Sequence, residues 1–82
     1  MDKLKKEMLR AISLGKNPCT RERARKILRG EMSIQTALSY GGGFMTSVLT
    51  GDVIGAVQRA DLDNRRALRN ALGNKFVDLI VE

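Results

Sequence analysis

Apolar residues along this chain recur at helical rather than strand spacing, in short runs separated by glycine, proline and capping residues. Leu4, Met8, Ala11 and Ile12 repeat at i, i+4, i+7 and i+8 and predict a helix over 2–14, started by Asp2 and ended by Gly15 and Asn17-Pro18. Thr20 is the expected N-cap of a second helix over 21–29, stopped by Gly30. In it Glu22 faces Lys26 at i+4. Its apolar stripe, Ala24, Ile27 and Leu28, is narrow, which places the helix on a surface. Ser33 opens a third helix over 34–40, closed by Gly41-Gly42-Gly43, where positive φ or close backbone approach is expected.

Phe44, Val48 and Leu49 form a further helical piece over 44–49. Thr50-Gly51-Asp52 interrupts it, and Val53, Ile54 and Val57 continue over 52–60, as one kinked helix or two. Asp61 caps a helix running to Leu72 that buries Leu62, Leu68, Ala71 and Leu72, with Gly73 after its end. The tail from Asn74 to Glu82 has β-branched content, but a lone strand would have no pairing partner, so it is assigned as a final short helix. The expected fold class is all-α: one compact domain over 1–82, five or six short helices packed around Ile34, Leu38, Phe44, Val48, Ile54, Val57, Leu68 and Leu72. Met32 to Gln58 carries one charge, Asp52, and five of the eight glycines, so it is the expected centre of the core.

Charge changes the picture more than composition does. The chain has 82 residues and a net charge of +6, with no Trp, one Tyr and two Phe. A core built on Leu, Ile, Val, Met and Ala in so short a chain makes a homodimer a natural way to bury more surface. Residues 1–30 hold ten Lys or Arg against three acids, residues 31–60 hold one against two, and residues 61–82 hold four against four. All the excess positive charge is therefore N-terminal, and it points to an anionic partner. The candidate contacts to nucleic acid or to an acidic partner are Lys3, Lys5, Lys6, Arg10, Lys16, Arg21, Arg23, Arg25, Lys26 and Arg29.

Residues 21–40 do not satisfy a helix-turn-helix register. With Gly30 in the turn, Lys26 stands where a small residue is needed, and Arg25, Arg29, Glu31, Thr36 and Ser39 occupy positions that should be apolar. No aromatic residue interleaves with the basic ones, which disfavours base stacking. Binding by charge, without a reading helix, is what remains. A second class of function is an inhibitor of a host factor, docking through an apolar patch at Tyr40, Phe44 and Met45.

Other chemistries find little support. The absence of His removes imidazole bases and imidazole metal ligands, and a single cysteine excludes zinc fingers and ribbons. Asp61 and Asp63 are the one close carboxylate pair, and i, i+2 spacing does not put them on one helix face. No catalytic residue, cofactor, metal site or small-molecule substrate is expected. The glycine triplet matches neither phosphate-loop pattern. The first helix lacks the Trp or Phe that would seat it on a membrane, and no apolar run is long enough to span one. The basic start is not followed by the apolar stretch of a signal peptide. With Cys19 alone, a reducing compartment is expected: the cytoplasm of a bacterium or a phage-infected host.

Gly43-Phe44-Met45-Thr46, followed by Ala56, Arg59-Ala60-Asp61, Asn64-Arg65, Leu68 and Ala71, resembles a pattern in small uncharacterised proteins of bacteriophages and mobile elements. There a G-x-F-x-T start leads to an A-D-x-x-N-x-x-x-L-x-x-A-F segment. The likeness covers the second half of the chain, and Leu72-Gly73 stands where Phe-Pro is usual. It implies a phage or mobile-element origin and no particular activity.

Overall fold

The structure, a computed structural model, describes residues 2–81. Among them every regular element is helical. These are α1 (Lys3–Ser13), α2 (Pro18–Leu28), α3 (Ile34–Ser39), α4 (Gly43–Thr50), α5 (Val53–Arg59), α6 (Leu62–Leu72) and α7 (Asn74–Val81). The all-α expectation holds, with seven helices in place of five or six. The interrupted 44–60 segment is two helices. The αL residue Gly51 (φ 81) ends α4 and the Asp52 carboxylate starts α5 by accepting the Gly55 N–H at 3.0 Å. The expected last helix ends at Val81, and Glu82 lies outside the described residues.

Local chemistry sets most boundaries. Asp2 accepts the Lys5 N–H at 2.8 Å, Ser33 the Thr36 N–H at 3.0 Å and Asp61 the Asn64 N–H at 2.8 Å, each supplying an N-terminal donor with an acceptor. The start of α2 differs from expectation. Asn17, not Thr20, is its N-cap, taking the Cys19 and Thr20 N–H groups, and Pro18 fills the first helical position, where its missing N–H costs nothing. Thr20 is thereby freed to donate to the Asn64 side chain at 2.8 Å. The glycine triplet does bend the chain through positive φ, at Gly41 (76°) and Gly42 (86°), which an L side chain would strain.

The core is centred on α1. Met8, Leu9 and Ile12 are fully buried and face α2, α4 and α6 together. Val48, Val57 and Leu68 are buried as expected, while Ile34, Leu38, Phe44 and Leu72 are half-buried against the core rim. Ile54 and Leu62 were expected inside and are exposed, at 56% and 63%. On α5 the face toward the core is Gly55, Ala56 and Val57, and Ile54 points the other way. Leu62, in the first turn of α6, points away from the face that buries Asn64, Ala67 and Leu68. Val77 of α7 is fully buried and completes the core from the C-terminal end.

Two helix starts are tied to each other. The Asn17 amide donates to the second Asp61 oxygen at 2.6 Å, and Thr20 bonds to Asn64, which is 3% exposed. The start of α2 is thus joined to the start of α6 across 44 residues of sequence. The surface of 4935 Å² is close to the ~4900 Å² that size scaling gives for a folded 9.1 kDa monomer. A single copy therefore closes its core to the usual degree.

Candidate functional site

The ten N-terminal cations divide into two sets. One set is turned into the fold. Arg25 donates from Nε to the Ser13 carbonyl at 3.0 Å, at the C-terminal end of α1 where orphan carbonyls need donors, and Arg21 from Nη1 to the Gly15 carbonyl in the following turn at 3.4 Å. Arg29 pairs with Glu31 at 2.8 Å and Glu22 at 3.8 Å; Glu22 thus serves Arg29 and not Lys26. Arg23 lies over the Tyr40 ring, 5.0 Å from its centre. Lys5 pairs with Asp2 at 3.7 Å, and its stem lies against Gly51 at the α4–α5 junction. Each of these charges is partly neutralised or positioned by the protein itself.

The other set is free. Among the described residues Lys3, Lys6, Arg10, Lys16 and Lys26 make no ion pair and no side-chain hydrogen bond, and all but Lys26 are exposed. Lys3, Lys6 and Arg10, at i, i+3 and i+7, form one stripe along α1, opposite Met8, Leu9 and Ile12. At 1.5 Å per residue the stripe is about 10 Å long. Since α1 is locked on its other sides by α2, α4 and α6, the stripe sits on a rigid element.

Beside the stripe runs a groove between α1 and α6. Ala11, Leu14 and Asn70 belong to both of its halves. Arg10 and Glu7 stand at one end, and Lys16, Asp63 and Arg66 at the other. A second open cleft is lined by Gly42, Gly43, Thr46, Ser47, Thr50, Asp52 and Arg59. There Arg59 bonds Ser47 at 3.1 Å and pairs with Asp52 at 3.6 Å, so its charge is already answered. Gly43 and Gly55 give this arginine its room, since a Cβ on either would collide with it.

The three apolar candidates do not form one patch. Tyr40 is 58% exposed, Phe44 is half-buried and Met45, 3% exposed, belongs to the core. Met45 is therefore not a surface contact: at i, i+3 and i+4 it shares one face of α4 with Val48 and Leu49, and that face is buried. Cys19 is exposed in the first turn of α2. Among the described residues no helix is long and apolar enough to cross a membrane.

Comparison with protein-family models, curated proteins and solved structures finds no match. The residues that carry the phage-like pattern have structural tasks here: Asp61 caps α6 and holds Asn17, Asn64 accepts from Thr20, Arg65 donates to the Val57 carbonyl, and Leu68 is core.

Proposed function

We propose that this is a small accessory or regulatory protein of phage or mobile-element type that binds nucleic acid, or a nucleic-acid-processing assembly, through the outward face of its N-terminal helices. The observation that supports this most is the division of the cations. Five of ten are spent on the fold; of the rest, Lys3, Lys6 and Arg10 stand unpaired on one rigid helix face, Lys16 on the turn after it and Lys26 on α2. Unpaired surface cations release counterions from phosphates when they bind, giving affinity without sequence readout. The place of action is the cytoplasm of a bacterium or infected host.

The test is titration of a labelled DNA or RNA duplex at two salt concentrations. Five phosphate contacts predict a loss of roughly 10²–10³-fold in affinity between about 50 and 200 mM salt. Changing Lys6, Arg10, Lys16 and Lys26 together to Glu abolishes binding; equal binding by that variant refutes the proposal.

A second reading, a protein-binding inhibitor of a host factor, is favoured by the stacked Arg23–Tyr40 pair, because exposed Tyr and Arg are frequent anchors of protein interfaces. It predicts a partner that survives high salt and is lost on Tyr40→Ala.

A further inference from the structure

We infer that the α1–α6 groove extends the phosphate-binding face and that Arg66, from the charge-balanced half of the chain, is one of its contacts, with a nucleic-acid duplex as the ligand class; this rests on the function proposed above. Helix α6 has three arginines at its accessible turns. Arg65 donates twice to the Val57 carbonyl, at 3.3 and 3.1 Å, and Arg69 bonds Asp78 at 2.7 Å. Arg66 alone of the three is exposed and, among the described residues, without a partner.

Small residues bring it to the N-terminal face. A Cβ on Gly15 would stand 3.3 Å from the Ala67 Cβ, so the α1–α2 turn rides directly on α6 next to Arg66. The same cavity is lined by Lys16 and Arg66, and its continuation by Arg10, at the end of the Lys3–Lys6–Arg10 stripe. Three cations from α1, the turn and α6 thus surround one groove, against two acids, Glu7 and Asp63. No aromatic side chain lines it, so nothing there can stack on an unpaired base. A backbone whose bases are already paired is the form of nucleic acid this surface suits.

The test is fluorescence anisotropy of one labelled duplex, and of a single strand of the same length, across a salt series. Arg66→Gln lowers the slope of log K against log salt by about 0.9, the value of one lost phosphate contact, and weakens binding equally for duplexes of different sequence. Arg69→Gln, on the same helix as Arg66 and paired with Asp78 of α7, leaves the slope unchanged. Glu7→Gln and Asp63→Asn tighten binding, because each removes a repulsion of phosphate. The duplex binds more tightly than the single strand. An unchanged slope for Arg66→Gln, while a Lys6→Gln/Arg10→Gln variant is weakened, overturns the inference and leaves the groove to a protein partner. A single strand that binds at least as tightly overturns the duplex assignment. A parent protein that binds neither overturns the proposed function itself.

Discussion

Helix α1 and the Met32–Gln58 segment share the core in a way that their composition alone does not suggest. Half of α1 is charged or polar, yet it supplies three fully buried side chains, Met8, Leu9 and Ile12. The central segment has a single charge, yet it leaves Ile54 56% and Tyr40 58% exposed. The difference is length and periodicity. Eleven residues of α1 give three turns with one continuous apolar face, and helices α2, α4 and α6 converge on it. The central segment is cut by glycines into helices of six, eight and seven residues, each burying a short face of its own, such as Met45, Val48 and Leu49 on α4 and Gly55, Ala56 and Val57 on α5. Mean hydropathy locates apolar matter, whereas period locates the core.

The largest effect should come from the charged helix. Leu9→Ala opens a cavity at a fully buried site and costs about 2–5 kcal/mol by urea unfolding, enough to unfold much of a domain this small. Asn64→Ala is next, at about 1–3 kcal/mol, since it removes the part-buried bond at the joint between α2 and α6 and leaves the Thr20 hydroxyl only the long 3.4 Å bond to the Asn17 carbonyl. Asp61→Ala removes both a cap and the Asn17 bond and costs about 1–2 kcal/mol, whereas Ser33→Ala, whose cap serves only α3, costs about 0.5–1 kcal/mol. Ile54→Ala, in the most apolar part of the chain, stays within about 0.5 kcal/mol. If Ile54→Ala proves costlier than Leu9→Ala, apolar composition and not the buried helix face decides where the stability lies.

Much of this was legible in the sequence, and the gaps have identifiable causes. Asp2, Ser33, Asp52 and Asp61 announce four helix starts because a capping side chain acts within three residues of itself. Asn17 was hidden behind Pro18, which reads as a turn as readily as a first helical position. Leu9 falls beside the i, i+4, i+7, i+8 stripe rather than on it, and only a helix flanked on several sides buries so wide an arc. The charge excess of residues 1–30 was plain, but not which cations the fold itself uses. Arg25 reaching the Ser13 carbonyl is a tertiary fact, and so is the placement of Arg66 next to Lys16. Met45 was misplaced because it lies three and four residues before Val48 and Leu49, on the face of α4 that the fold buries.

The same contrast between inward and outward groups applies to charge, and one paired measurement tests it most directly. The salt dependence of duplex binding and the urea midpoint are recorded for two variants, Lys3→Gln/Lys6→Gln/Arg10→Gln and Arg25→Gln/Arg29→Gln. The predicted result is a crossed pattern. The α1 variant loses about 2.7 from the slope of log K against log salt and keeps its stability. The α2 variant keeps its slope and loses about 0.5–1.5 kcal/mol of stability with the Ser13 hydrogen bond. An α1 variant whose slope matches the parent's, or an α2 variant that loses the greater part of it, contradicts the division of the cations on which the proposed function stands.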